Sequence, residues 1–412
     1  AGNTQTASSN TATFELDTTA PQMSSADYDG NSVTITYSES LDSAPEAGDF
    51  TVTLDDDINT VAVTNVSLGT GADADKVTLT LDSAIAADRT IKSIAYLQSQ
   101  GTADSVKDLA GNAAGDQTLS SNISDNTAPT ITSVAIDSAT GVQNSLLNQG
   151  DVVTVKVDFS EPVTVDTTSG TPEIDLLIGG TTVQASYNSG NSTATSLEFD
   201  YTIQAGDGDD NDGISLPADG ISLNSGTIQD GADNNATLTY TAVSDNSSFK
   251  VDTTAPSAPT IALAADTGSA SDDGVTSNDA INVTGLEANA TWEYSVDNGG
   301  NYTAGSGTSF TVADGTYADG DILVRQIDEA GNVSPAAQLG SSVTIDTTAP
   351  TVASVSIEDG THAVGDTVAV TITASNSESG LTLSSAQLNG QTLTSINDNN
   401  VGTYTGTDTV VE

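Results

Sequence analysis

Four aspartates recur at the head of one short phrase. Asp17, Asp252 and Asp346 each open a DTTAP, and Asp125 opens a DNTAP. A second set opens a different phrase shortly before the next junction: Asp108 in DLAGN, Asp230 in DGADN and Asp328 in DEAGN. Carboxylates drawn together drive one another toward protonation unless a cation neutralises them. The chemistry such residues offer is therefore oxygen ligation of a hard divalent ion. Ca²⁺ accepts 6–8 oxygens in flexible geometry, whereas Mg²⁺ demands an octahedron and keeps its waters. Zn²⁺ prefers His or Cys. The chain has no Cys and a single His, His362, so Ca²⁺ is the expected cofactor.

In an immunoglobulin-type sandwich the loops alternate between two poles, and the loop between the last two strands faces the chain's own entry. That topology predicts three pairings: Asp17 with Asp108, Asp125 with Asp230, and Asp252 with Asp328. Acidic loops of the preceding repeat are expected to approach from the other side. They bring Asp266, Asp272 and Asp273 toward Asp346, and Asp207 with Asp209 toward Asp252. The competing reading is a solvated turn carboxylate, since Asp, Asn and Gly are ordinary turn formers; Asp55, Asp56 and Asp57 are read that way. The run DGDDNDG from Asp207 resembles an EF-hand loop but fails its spacing, because the required glycine falls one place late and Ala218 stands where the bidentate Glu belongs.

The elements that position these residues are strands. SVTITYS (32–38), KVTLTLD (76–82), DVVTVKVDF (151–159), SLEFDYTI (196–203) and DILVRQI (321–327) alternate with period two and are rich in β-branched residues. No stretch carries a helical period. The prolines of the recurring phrase, Pro21, Pro129, Pro256 and Pro350, fall 108, 127 and 94 residues apart, which is one β-sandwich per interval. The expected fold is all-β, with tandem immunoglobulin-like β-sandwiches in an extended rod. The expected boundaries are the tail of a preceding repeat at 1–19, complete repeats at 20–127, 128–254 and 255–348, and an incomplete repeat at 349–412. The opening Ala1, Gly2 and Asn3 read as the end of another copy. Each junction proline fixes φ and pushes its predecessor to extended geometry, so the linkers are stiff.

The charge balance narrows the partners. Seven Lys+Arg against 57 Asp+Glu leave a formal charge of −50, which repels nucleic acid and anionic lipid and attracts cations. No apolar run is long enough to span a bilayer. A Ser-His-Asp site would have to use His362, and no GxxxxGK, HExxH or GxSxG pattern occurs; an enzyme is not expected.

The DTTAP junctions and DxAGN loops resemble the bacterial Ig-like repeats of giant RTX-type and biofilm-associated surface adhesins, which are often exported by type I secretion. The resemblance covers nearly the whole chain. Residues 21–124 are similar to repeats of long surface proteins, and 129–251 and 256–345 to repeats of RTX-type adhesins. Trp292 falls where an immunoglobulin sandwich keeps its core tryptophan, although with Tyr294 and Tyr302 it could instead form a sugar-stacking patch. The resemblance implies a calcium-rigidified extracellular stalk serving cell adhesion and biofilm formation. A glycan or protein receptor would then engage other parts of the full-length protein, and this segment would be monomeric. The alternatives are a repeat that itself binds glycan or protein, and a subunit of an extracellular filament or surface layer.

Overall fold

Alternating β-branched residues make strands with one buried face, and such faces must pack on another sheet. The computed structural model describes residues 16–43, 45–55, 59–86, 89–98, 105–268, 270–375, 385–388, 390–398 and 402–411. The expected repeat tail at Ala1–Asn3 and the acidic tip residues Asp56 and Asp57 lie outside them. The chain divides into two units, residues 1–255 with 329–332, and residues 256–328 with 333–412. The architecture is all-β, in tandem immunoglobulin-like sandwiches; among the described residues the only helices are two 3₁₀ turns.

The first unit holds two hydrophobic cores. In the first sandwich, one sheet runs in the order Ile123–Asp125, Met23–Asp29, Ser32–Tyr37, Lys76–Leu81, Val63–Leu68, and the facing sheet contains Gln117–Leu119, Ile91–Tyr96, Phe50–Leu54 and Thr60–Val61. Ser32–Tyr37 and Lys76–Leu81 bury every second side chain. Their inward residues Val33, Ile35, Val77 and Leu79 meet Val52, Ile94 and Tyr96 of the other sheet. The second sandwich is built on a six-stranded sheet led by Ile131–Thr140, Val152–Phe159 and Ser196–Thr202. Its core centres on Val155, Ile174, Leu176 and Phe199.

The second unit repeats the plan. Thr260–Leu263, Ala280–Thr284 and Ser309–Thr311 form one sheet, and Thr291–Ser295 pairs with Leu323–Ile327 in another. Trp292 lies between them, 4 % exposed, with its indole N–H donated to the Gly307 carbonyl at 3.0 Å. Trp292 is thus a core residue, and its ring is not available for stacking on a sugar. A further sheet, Val352–Ile357, Thr367–Ala374, Thr403–Thr409 and Thr394–Asp398, covers a smaller core of Val370, Ile372, Leu393 and Tyr404.

One feature of the strand order places the junction residues. In each of the first three sandwiches a strand near the entry pairs in parallel with the last strand: Ala26–Tyr28 with Ile123–Asp125, Leu146–Leu147 with Lys250–Val251, and Val275–Thr276 with Thr344–Ile345. The last strand therefore ends at, or one residue before, Asp125, Asp252 and Asp346. Asp125, Asp252 and Asp346 are each carried by the sandwich upstream of the linker.

Candidate metal centres

Every junction aspartate folds back on its own linker. The amides of Thr19, Thr127, Thr254 and Thr348 donate to Oδ1 of Asp17, Asp125, Asp252 and Asp346 at 2.9–3.1 Å. This side-chain turn is a local preference of Asp two residues before an amide. It fixes one carboxylate oxygen at each junction.

The DxAGN phrase is a second closed turn. The Asn112 amide donates to Asp108 Oδ1 at 2.8 Å and its side chain to Oδ2 at 2.7 Å. Asn234 does the same to Asp230 at 2.9 and 2.8 Å. The turn needs a left-handed residue before the Asn: Gly111 has φ +89° and Gly331 φ +93°, and in DGADN Asp233 takes φ +68° instead, a conformation Asp tolerates better than most residues. The Asn side chain then reaches the linker. Nδ2 of Asn112, Asn234 and Asn332, all in the first unit, donates to the main-chain carbonyls of Asp17, Asp125 and Asp252 at 3.3, 2.9 and 2.8 Å.

These two turns bring Asp17 together with Asp108, and Asp125 with Asp230. A glutamate completes each group: oxygens of Asp17, Glu39 and Asp108 lie within 4.8 Å of one another, as do those of Asp125, Glu161 and Asp230. Both glutamates follow a Ser two residues past the second long strand, in YSE (37–39) and FSE (159–161). That Ser-Glu pair was the available signal, and among 57 acidic residues it does not stand out.

Within each group the carboxylates act on one another. Burial, then the charges of Asp230 and Asp125, push the Glu161 carboxyl up to about 7. Glu161 is 4 % exposed, and its Oε1 has no hydrogen-bond partner. Desolvation and the charges of Asp17 and Asp108 raise Glu39 above the ordinary carboxylate range. Burial acts to raise Asp108 too, but donation from the Asn112 side chain and amide outweighs it and holds Asp108 low. The donors are all oxygen, a hard set suited to Ca²⁺ and unsuited to Zn²⁺. The buried, unpartnered Glu161 oxygen is the kind of group a cation satisfies, so the residues fit the ion.

A cleft of about 400 Å³ opens beside the second group. Tyr28, Thr90, Ile91 and Ile123 of the first sandwich line one side, and Glu161, Pro162, Asp230 and Gly231 of the second line the other. Burial, then the hydrogen bond to Asp125, raise the Tyr28 phenol above its ordinary value. It is a proton donor throughout the physiological range.

The remaining acids are placed differently. Asp209 receives the Thr253 amide at 3.1 Å and the Thr254 hydroxyl at 3.0 Å, so it holds the linker at Asp252 with its carboxylate already engaged. The Asp207 carboxylate accepts from the Tyr201 hydroxyl and the Gln204 amide, while its main-chain carbonyl meets the linker and accepts from the Thr253 hydroxyl at 2.7 Å. Asp266 accepts from the Gly274 amide, and Asp273 from the Val275 and Ala270 amides. Asp272 is exposed. None of these joins a three-carboxylate group among the described residues. Thr267, Gly268 and Val275–Ser277 do share a groove with Asp346–Pro350, but the carboxylate that holds that linker is Asp314. It accepts from the Thr347 amide and hydroxyl at 3.0 and 2.8 Å and from the Thr348 hydroxyl at 3.0 Å. Asp252 belongs to the first unit and Asp328 to the second; Asp328 is half-buried just past Leu323–Ile327. Glu287, three residues past Ala280–Thr284, accepts from the Ser257 amide at 3.3 Å.

A family model described as a putative flagellar system-associated repeat, the SWM repeat, matches residues 16–101. No curated protein matches the chain. Among solved structures, domains 1–6 of the surface layer protein SbsC share 15 % identity over 96 % of this chain and 52 % of theirs, with a TM-score of 0.23. Fibronectin(III)-like modules of CbhA from Clostridium thermocellum share 14 % over 52 % of this chain and 94 % of theirs, also at 0.23. The human desmocollin-1 ectodomain shares 11 % over 94 % and 73 %, at 0.21. The chain spans about half the length of the two surface-layer chains it matches over nearly its whole extent.

Proposed function

We propose that this chain is a calcium-stiffened extender segment of a large bacterial surface adhesin, placed outside the cell, with no catalytic role. The observation that carries the reading is the origin of the second carboxylate group. Asp125 ends the last strand of one sandwich, while Glu161 and Asp230 belong to the next. An ion held by all three is bonded to both sandwiches, and the hinge between them loses its freedom when the ion binds. Asp17, Glu39 and Asp108 form another group of three carboxylates at the entry to the first sandwich. Pro21 and Pro129 stiffen the same linkers independently of the metal. The charge of −50 supports the reading twice: it repels neighbouring chains, and it leaves the protein dependent on divalent cations where carboxylates converge.

The test is small-angle scattering of the whole chain in calcium and in EDTA. The reading predicts a longer, less variable particle in calcium and a lower melting temperature in EDTA. A profile and a melting temperature that ignore the chelator contradict it.

A further inference from the structure

Asp125 is held on both oxygens before any ion arrives. Oδ1 takes the Thr127 amide at 2.9 Å, and Oδ2 takes the Tyr28 hydroxyl at 2.9 Å. Tyr28 lies on Met23–Asp29 and is 3 % exposed, packed in the first core. The backbone is tied at the same place: the Asn126 amide donates to the Tyr28 carbonyl at 2.9 Å, and the Gly30 amide to the Thr127 hydroxyl at 3.2 Å. Glu161 presents the opposite case, with a buried oxygen that no described residue satisfies. Of the three carboxylates, Asp125 is fixed by the upstream sandwich and Asp230 by its own turn, and Glu161 keeps an oxygen without a partner. Among the described residues no phenol donates to Asp17.

We infer that Tyr28 is a positioning residue for the cation site at Asp125, Glu161 and Asp230, and the contact through which occupancy of that site fixes the upstream sandwich. The inference rests on the calcium reading above. A hydrogen bond from outside the ligand set orients a carboxylate, and losing such a partner costs about 10–100-fold in metal affinity. Coupling is reciprocal: if docking of the first sandwich strengthens ion binding, ion binding strengthens docking by the same factor.

The experiment is a calcium titration of the full chain and of Tyr28→Phe, followed by the NMR shifts of the Gly111 and Gly231 amides. These lie in the Asp108 and Asp230 turns, one beside each group. Phenylalanine keeps the ring that fills the core and removes only the donor. The expected result is an affinity at least about tenfold weaker at Gly231 and unchanged at Gly111. In the unmodified chain, the Tyr28 ring resonances should move in step with Gly231. Equal affinities at Gly231 in the two proteins, or a Tyr28 ring that stays still while Gly231 shifts, overturn the role of Tyr28 and leave the calcium reading standing. If neither glycine responds to calcium in the unmodified chain, both fall.

Discussion

The Asn234 side chain spans two sandwiches, donating to its own Asp230 carboxylate at 2.8 Å and to the main-chain carbonyl of Asp125 at 2.9 Å. One amide thereby shapes the DGADN turn and docks it on the linker that enters the same sandwich. Asn112 does the same for Asp108 and Asp17. The recurring Asn is thus a clasp, and the carboxylates meet because it closes.

Removing the clasp leaves a half-buried carbonyl and a buried carboxylate each short of a donor. Asn234→Ala is expected to destabilise the second sandwich by about 1–3 kcal/mol. It should also weaken calcium binding at the adjacent group. Urea unfolding with and without calcium measures both effects.

Glu161 has opposite consequences with and without the ion. Its folded value near 7 lies above its ordinary 4.5, so without metal the folded protein binds more protons than the unfolded one between those values. The contribution of this group to stability is then full below about 4.5 and is lost as pH rises through 7. Glu161→Gln should remove that fall and stabilise the metal-free protein at pH 7.5 by on the order of 2 kcal/mol. The same variant should lose the gain from calcium at this site, roughly 2.7 kcal/mol at 100 times the dissociation constant. Calorimetric melting of both proteins in EDTA and in calcium gives all four values.

How far the site was legible follows from where its signal lies. Asp17, Asp108, Asp125 and Asp230 recur inside fixed phrases, and the alternation of a sandwich's loops places the two phrases at one pole. Glu39 and Glu161 carry no phrase, only a Ser-Glu pair past a strand end, and they become visible once the strands are folded. Asp207 and Asp273 looked equivalent to the junction acids in composition, yet their carboxylates are taken up by nearby amides and the Tyr201 hydroxyl; Asp266 gives Oδ2 to the Gly274 amide and keeps Oδ1 buried without a partner, but no second carboxylate joins it in a three-acid group among the described residues. Asp314 sits in an unremarked Asp-Gly turn, and only its contacts with Thr347 and Thr348 reveal that it holds the linker. The long strands at 32–37, 76–81, 152–159 and 196–202 were plain from their alternation. The parallel pairings that seat the junction aspartates are two or three residues long, too short for any period to show.

The third sandwich offers a test of core packing. A methyl group on Gly305 would lie 2.2 Å from the Trp292 ring, far inside contact distance. Gly305→Ala should displace the indole and cost the kind of overpacking penalty that runs to about 1–3 kcal/mol. Trp292 is the only tryptophan in the chain, so its emission reports the change directly as a shift to longer wavelength.

Acid should loosen a different part of the same sandwich. Asp297 is driven down to about 2, first by the Ser295 hydroxyl and then by the Asn301 side chain and amide. A depressed carboxyl contributes its stability above the ordinary value of 3.8 and loses it as pH falls through about 2. The turn at 297–301 should therefore stay ordered at pH 4 and open near pH 2, and Asp297→Ala should abolish that transition. The amide shifts of Gly300 and Asn301 across the range check it.

The central claim concerns a shared ion, and diffraction from crystals grown in calcium addresses it most directly. An anomalous peak among Asp125, Glu161 and Asp230, with carboxylate oxygens about 2.3–2.6 Å away, is the predicted result. Crystals grown in calcium that show no peak there, with the three carboxylates turned apart into solvent, would contradict it.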